Sequence, residues 1–488
     1  MKSGWVHTTL GMVADWGSGG TPSRSNKDFF IGEIPWIKTG ELGSKYIRKT
    51  EESISTQAIE YSAAKIFPKG SIGIAMYGAT IGKLSIFGIS ASTNQACAVA
   101  VPIVDLLFNE YLYFYLLSER RNLINAGKGG AQPNISQGVL KDWVIPLSPP
   151  PEQRRIVSKI EELFSELDKG IETLKTAKSQ LAVYRQAILK DAFEGKLTAK
   201  WRTAHPETEK PASFLARLIG KRLAKKKREF VPTPAPADLP AEWTLTRILQ
   251  IADTGTGATP LKSNSEYYEG GNIPWVTSGA LNDSYVELAS GFVTDKALNE
   301  TNLRLYPKHT LLVALYGEGR TRGKCSELVI EATTNQAIAA ITLDSDQATL
   351  RSYLKYFLLK NYQDMRRMSS GGVQPNLNLG IIQNMIIPIC SENEAAEIVA
   401  HLDAQFSIID SLESDIKTNL QKTEALRQSI LKKAFAGELV PQDPSDEPAA
   451  VLLERIRVER EIKQTQSTKR SSISKPNARG RKPRAATT

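Results

Sequence analysis

Apolar residues recur at every seventh position along two long stretches of the chain. In the first, Ile160, Leu167, Leu174, Leu181 and Ile188 stand seven apart, with Ile156, Leu163, Gly170, Ala177 and Tyr184 in the alternating register. In the second, 242 positions on (402 − 160), Leu402, Ile409, Ile416, Thr423 and Ile430 alternate with Ile398, Gln405, Leu412, Asn419 and Leu426. A seven-residue period predicts two long helices, about 152–194 and 394–436, that pair with one another as a coiled coil. Gln405, Asn419 and Thr423 on that seam would cost stability and fix register. Gly195 and Gly437 fit the glycines that close such helices. Elsewhere the period changes. Ile72, Ile74 and Met76 alternate with small residues, as do Leu311, Val313 and Leu315, which predicts half-buried strands entering Tyr-Gly turns. Amphipathic helices are expected near 110–123 and 350–367, with shorter helices over 214–230 and 449–463.

These matched patterns belong to one duplication. Thr21-Pro22 recurs as Thr259-Pro260, Ile34-Pro35-Trp36 as Ile273-Pro274-Trp275, and Tyr77-Gly78 as Tyr316-Gly317, at an offset near 239 (316 − 77). Thr93-Asn94-Gln95-Ala96 recurs as Thr334-Asn335-Gln336-Ala337 at 241 (334 − 93), and Gln132-Pro133-Asn134 as Gln374-Pro375-Asn376 at 242 (374 − 132). So long a period is a duplicated domain pair and not a short-repeat solenoid. The fold class expected is α+β: two domains of mainly twisted antiparallel sheet, related by a pseudo-two-fold and separated by an antiparallel coiled coil. The chain would divide into a first domain at 1–150, the first long helix and a basic helix at 151–230, and a Pro-rich linker at 231–240. A second domain at 241–392, the second long helix and a short helix at 393–463, and a disordered basic tail at 464–488 complete it.

Charge changes the picture less than its total suggests. The net charge is +10, but seven Lys/Arg and no acid lie in residues 464–488, which leaves +3 for the body. With 41% apolar and 23% charged residues the chain is an ordinary globular one. Three widely spaced cysteines, Cys97, Cys325 and Cys390, give neither a disulfide framework nor a Cys-x-x-Cys metal site. The start lacks the apolar core of a signal peptide, and no apolar run is long enough to span a bilayer, so a cytoplasmic protein without membrane contact is expected.

The two-fold order of motifs resembles the specificity subunits of Type I restriction-modification enzymes. The shared features are Thr-Pro and Ile-Pro-Trp early in each domain, Gln-Pro-Asn late, and the helix start Pro150-Pro151-Glu152-Gln153. The closing motifs are Ala192-Phe193-Glu194-Gly195-Lys196-Leu197 and Ala434-Phe435-Ala436-Gly437-Glu438-Leu439. The second helix start, Cys390-Ser391-Glu392-Asn393-Glu394, departs from the pattern. The resemblance covers about residues 1–460. It implies a DNA-reading adaptor in which each domain recognises one half of a split double-stranded target. The coiled coil would then set the spacing and dock two methyltransferase subunits that methylate adenine N6. A restriction/translocase subunit would complete the complex. S-adenosylmethionine, ATP and Mg would serve those other chains, with no cofactor, metal or catalytic residue in this one.

The residues themselves agree. The only Pro-Pro run, Ser148-Pro149-Pro150-Pro151, lacks the amide and aromatic that an adenine methyltransferase needs to hold a flipped base. Neither Gly82-Lys83-Leu84 nor Gly323-Lys324-Cys325 completes a phosphate-binding loop. Asp191, Glu194 and Lys196 superficially fit a nuclease set, but the second copy reads Lys433, Ala436 and Glu438. The four histidines have no ligand spacing. The competing readings are a methyltransferase or nuclease acting alone and a scaffold that binds only proteins.

The duplication also sorts DNA-contact candidates. Residues kept between copies should be structural, and divergent loops should specify. Thr-Asn-Gln-Ala could bond adenine or close a turn, and Trp36 and Trp275 are expected as loop or core anchors. Three loops diverge: those after Thr-Pro, those after Pro-Trp, and 78–82 against 317–323, which carries a two-residue insertion and two arginines. The candidates in the first domain are Arg24, Asn26, Lys27, Lys38, Thr39, Thr80, Lys83, Gln132 and Asn134. In the second they are Lys262, Asn264, Thr277, Ser278, Arg320, Arg322, Lys324, Gln374 and Asn376. Arginines suit guanine or phosphate, and Lys83 and Lys324 suit phosphate positioning, against the alternative of solvated loops and turns. The basic run at 225–228 and the basic tail could attract phosphates or simply be solvated charge.

Overall fold

A computed structural model describes residues 2–127, 134–206, 208–223, 239–317, 321–368 and 377–473. Gln132, Arg320, Gln374 and Asn376, the basic run at 225–228, Pro232, Pro234 and Pro236 of the linker and the tail beyond Ile473 lie outside them. The chain forms two compact units, one of residues 1–173 with 418–488, the other of residues 174–417.

The first unit contains strands β1 (Val6–Thr9), β2 (Ala14–Ser18), β3 (Ile34–Ile37), β4 (Tyr46–Ile47), β5 (Glu52–Ile54), β6 (Ile72–Ala75), β7 (Leu84–Phe87), β8 (Ser92–Thr93), β9 (Cys97–Pro102) and β10 (Val144–Leu147). They make a five-stranded sheet in the order β2-β9-β6-β7-β4, a three-stranded sheet β5-β3-β8 and the pair β1-β10. The second unit repeats this strand for strand. Its elements are β11 (Thr244–Arg247), β12 (Asp253–Thr256), β13 (Ile273–Val276), β14 (Tyr285–Val286), β15 (Gly291–Val293), β16 (Leu311–Ala314), β17 (Cys325–Leu328), β18 (Thr333–Thr334), β19 (Ile338–Thr342) and β20 (Ile386–Ile389). Their orders, β12-β19-β16-β17-β14, β15-β13-β18 and β11-β20, are the first set with ten added to each number. The α+β class and the duplication stand. The sheets are mixed, however: β3 pairs with β8 and β4 with β7 in parallel, and the second unit does the same.

The alternation in β6 also means something other than one wet face. All four residues of β6 are buried, and so are those of β16. Ile72 and Ile74 face the main core of the first unit, with Tyr111, Leu112 and Ile145. Ala75 faces a second core with Phe87, Cys97 and Val99. The small residues are there for lack of room, since a Cβ on Gly73 would stand 2.9 Å from the Phe87 ring.

The long helices run over Pro150–Phe193 and Glu392–Phe435. Ile160, Ile188, Leu402, Ile409 and Ile416 are buried, as the seven-residue period requires. The companion row differs in part from expectation. Near the helix starts Ile156 and Ile398 are buried and Leu163 and Gln405 partly so, as expected. Phe164, Ile171 and Arg185, and Phe406, Glu413 and Arg427, each four residues after a heptad position, are at least half-buried as well. Tyr184, Leu412 and Leu426, expected on the seam, are exposed. Asn419 is exposed too, while Thr423 is buried and donates to the Asn419 carbonyl one turn back at 2.8 Å. Within each unit the two helical segments run antiparallel. Asp168 pairs with Arg427 and the earlier Arg155 with the later Asp446 in the first, and Arg185 pairs with Asp410 and the later Thr198 with the earlier Glu394 in the second. Gly195 and Gly437 end the helices at φ +71° and +73°, the left-handed conformation glycine takes without strain.

Each unit is completed by a helix from beyond a closing glycine. Phe214, Leu215 and Leu218 of the Pro211–Leu223 helix join the core around Trp243 and Ile248 in the second unit. Ala449 and Leu452 of the Ala449–Ile473 helix join that around Trp5 in the first, where the Ala449 amide donates to the Gly4 carbonyl at 2.9 Å. The last helix continues ten residues past the boundary expected at 463. The helix expected near 110–123 spans Asn109–Ala126, but its counterpart is broken into Ala348–Lys360 and Tyr362–Met368. Asn361 sits at the break, with its side-chain amide on the Phe357 carbonyl at 2.8 Å, competing with the helix ladder.

Candidate nucleic-acid interface

Strand topology brings the divergent loops together at one end of each domain. The last residue of β2, Ser18, pairs with Ala98 in β9, and the last of β6, Ala75, pairs with Cys97 at the start of β9. β3 runs parallel to β8, with Ile37 opposite Thr93. The loops leaving β2, β3 and β6 therefore emerge beside the turn 94–96. Backbone bonds tie them there: Gly20 N–H to Thr93 O at 2.9 Å, Asn94 N–H to Ile37 O at 3.1 Å, and Met76 N–H to Ala96 O at 2.9 Å. The Ile135 amide donates to the Met76 carbonyl at 2.8 Å, which adds the segment at Asn134. In the second domain, Ala258 to Thr334, Asn335 to Val276 and Leu315 to Ala337 repeat the arrangement at 2.8–3.0 Å.

The retained motifs are the frame of this end. Thr21 donates its hydroxyl to Gln95 and Thr259 to Gln336, so Thr-Pro and Thr-Asn-Gln-Ala hold each other. Trp36 and Trp275 each donate an indole N–H to the loop carbonyl of Gly20 or Ala258, at 3.1 and 3.2 Å, and anchor the loop as expected of them. The approach is too close for any side chain at the preceding glycine. A Cβ on Gly19 would lie 1.9 Å from the Thr93 carbonyl oxygen, and one on Gly257 1.6 Å from that of Thr334. Of the two roles open to Thr-Asn-Gln-Ala, closing a turn is the one the bonding displays: Asn335 accepts from the Ala337 amide at 3.2 Å. Gln95 and Gln336 remain exposed.

The candidates divide further. Asn26 and Asn264 accept from the amides of Asp28 and Glu266 at 3.1 and 3.2 Å, capping the short helical turns Lys27–Phe30 and Ser265–Tyr267. Both copies keep an asparagine because the turn needs an acceptor. Lys27 and Lys262 are exposed beside them. Arg24 stacks 4.1 Å from the Phe30 ring centre and pairs with Glu52 at 2.7 Å. Lys38 is bound by Glu51 at 2.7 Å and Glu52 at 3.0 Å, and those bonds raise its pKa above the ordinary lysine value. Arg24 in turn holds the Glu52 carboxyl below the usual range. The counterparts of Lys38 and Glu51, at an offset of 239, are Thr277 and Ser290, whose hydroxyls lie 3.1 Å apart. One contact is thus made by an ion pair in one domain and by two hydroxyls in the other.

Thr39 and Ser278 open short turns at Thr39–Glu41 and Ser278–Ala280. Thr80 ends the Gly78–Thr80 turn, and its carbonyl accepts from the Lys83 amide at 2.9 Å. Lys83 and Arg322 are half-buried, and Lys324 donates to the Asn282 side chain at 2.8 Å. Asn134 is exposed, its backbone bridged to Tyr77. Sequence reasoning passed over Tyr77 and Tyr316 as surface residues. Both are more than a third exposed where the loop leaves the sheet, and their retention as Tyr-Gly was the available signal. Among the described residues no group of His, Cys, Asp and Glu is arranged to hold a metal ion.

Residues 2–176 and 240–422 match the model of the Type I restriction modification DNA specificity domain, so each copy of the duplication carries one match. The chain belongs to that family. The EcoDI specificity subunit of Escherichia coli is 26% identical over 88% of this chain and 94% of its own length. The MjaIX specificity subunit of Methanocaldococcus jannaschii is 24% identical over 89% and 93%. The EcoKI specificity subunit of E. coli is 24% identical over 94% and 96%. Two solved structures share the fold at 18% identity. A chain from work on complex assembly and conformational transition of the type I R-M system matches with a TM-score of 0.66, over 90% of this chain and 99% of that one. The HsdS subunit from Thermoanaerobacter tengcongensis matches at 0.53, over 90% and 98%. In this member of the specificity family the two loop-bearing ends are one frame built twice, with different residues on it.

Proposed function

We propose that the chain is the sequence-reading subunit of a Type I restriction-modification complex and performs no chemistry itself. Each domain reads one half of a bipartite double-stranded DNA target with the loops gathered beside its Thr-Asn-Gln turn. The long helices dock two methyltransferase subunits, which transfer methyl from S-adenosylmethionine to adenine N6. A restriction/translocase subunit, using ATP and Mg, cuts unmodified DNA. The work is done in the cytoplasm, and among the described residues no helix is long and apolar enough to cross a membrane. The observation that carries this reading is the duplicated frame with unlike surfaces. Thr21–Gln95 and Thr259–Gln336 are the same bond, while Lys38–Glu51 has become Thr277–Ser290. A reader of two different half-sites needs such a pair: retained positioning, divergent contacts. Modified-base sequencing of DNA from cells expressing the cognate methyltransferase subunit, with and without this chain, tests it. A split adenine-methylated motif that requires the chain is expected. Unchanged methylation while the proteins co-purify would leave a protein scaffold instead.

A further inference from the structure

Behind the most divergent loop of each domain lies a helix, and the loop touches it through a glycine. Gly82 and Gly323 both have positive φ, +72° and +81°, and both amides donate to the strand before the loop, to Ala75 O at 2.9 Å and Ala314 O at 2.8 Å. The loop backbone is therefore pinned identically on its sheet side. On its other side it rests directly on helix side chains. A Cβ on Gly82 would stand 2.9 Å from Ile124 Cδ1 and 3.2 Å from Arg120 Cγ. One on Gly323 would stand 3.4 Å from Tyr362 Cδ2 and 3.6 Å from Arg366 Cγ. These are the same two helix positions in the repeat (362 − 120 = 242 and 366 − 124 = 242).

Facing the core, Tyr111, Leu112 and Leu116 are matched by Tyr353, Leu354 and Leu358, while Leu123 has become Met365, all buried. The pair under the loop is not kept. In the first domain it is an arginine stem and an isoleucine. In the second the arginine has moved one turn along, and it donates to the Tyr362 hydroxyl at 2.8 Å. Neither position is fully buried in either copy, so core packing alone does not dictate these residues. They have changed together with the loop they support, which differs by a two-residue insertion.

We propose that Arg120 and Ile124, and Tyr362 and Arg366, are positioning residues that set the base preference of each half-site by fixing the height and tilt of the loop above them. This rests on the reading of the loops as DNA contacts. Base discrimination depends on donors and acceptors placed within hydrogen-bond tolerance, so a small shift of the supporting pair is enough to redirect it.

The test is the methylation motif of the full complex, read base by base, for the wild-type chain, for R120Y/I124R and for Y362R/R366I. A split motif with the wild-type chain shows that the parent reading holds; its absence overturns that reading independently of the variants. With the motif in hand, R120Y/I124R should alter or relax preference by about tenfold at one half-site, with the other half unchanged, and Y362R/R366I should do so at the opposite half. Variants that melt lower yet keep the wild-type preference at both halves would overturn the proposal. So would equal loss at both halves, or the same half affected by both variants. If an exchanged pair fails to fold, R120A, I124V and R366A carry the same readings.

Discussion

The Arg185 guanidinium donates to Asp410 at 2.6 Å and lies 4.6 Å from the centre of the Phe406 ring. In the other unit Arg427 pairs with Asp168 and lies 4.9 Å from Phe164, and every partner is displaced by 242 residues. Both pairs sum to the same number, 185 + 410 and 168 + 427, as antiparallel segments related by a duplication must. An arginine on the seam is tolerated because its charged end reaches a carboxylate while its planar face covers an aromatic ring.

The ion pair is open to water, with Asp410 66% exposed, so its own contribution is small, about 0.5 kcal/mol. The stacking adds a further share that only the arginine makes, about 0.5–1 kcal/mol. R185A should therefore destabilise the second unit more than D410A does, by a margin visible in denaturant midpoints. Equal losses would remove the stacking from the account.

Two equivalent buried glutamates should respond oppositely to amidation. Glu394 accepts from Arg202 and Thr198 at 2.7 Å each and from the Trp243 indole at 3.0 Å. E394Q strands the Arg202 charge in a half-buried site and should cost about 3 kcal/mol. Glu152 accepts from the Trp5 indole at 2.9 Å, and burial pushes its carboxyl above the ordinary glutamate range. For an acid with a raised pKa, the folded state is penalised as pH rises through that value and unpenalised below the unfolded one. E152Q should then raise the melting temperature by roughly 2 °C at pH 8 and by nothing near pH 4. A melting temperature lowered equally at both pH values would contradict this.

Lysines of the first loop cluster should not contribute equally to DNA binding. Lys38 already carries two carboxylates, whereas Lys83 forms no ion pair with a carboxylate among the described residues. In a plot of log affinity against log salt for the assembled complex, K83A should reduce the slope by about 1 and K38A by clearly less. A full unit lost with K38A would mean that DNA displaces Glu51 and Glu52.

The approach of backbone to backbone beside the loops leaving β2 and β12 leaves no space at Gly19 and Gly257. G257A drives a Cβ to 1.6 Å from the Thr334 carbonyl oxygen, so the Thr-Pro loop must move. It should destabilise the second unit by about 2 kcal/mol or more and loosen one half-site alone. Wild-type melting with G257A would contradict the packing described.

Much of this was legible in the sequence because duplication prints the frame twice. The offsets of Thr-Pro, Ile-Pro-Trp and Thr-Asn-Gln-Ala located equivalent loops, and the buried Ile160 and Leu402 rows gave the paired helices. What periodicity could not supply was the second side of each contact. The small residues beside Ile72 and Ile74 read as a wet face until Phe87 and Cys97, distant in sequence, occupied it. The companion row of the helices was set by Phe164 and Arg185, because an arginine reads as surface unless its carboxylate and ring are known. Asn26 looked divergent with its loop, though its match to Asn264 marked a turn cap. Arg120 and Arg366 could not be placed under a loop from spacing alone.

The central claim is that each domain reads its own half-site on a common frame. It is tested most directly by replacing residues 241–392 with a second copy of 1–150 and sequencing the methylated motif made with the cognate methyltransferase subunit. The account predicts a motif of two copies of one wild-type half, the other half having vanished. Persistence of the original two unlike halves, or methylation without sequence preference by an assembled complex, would contradict it.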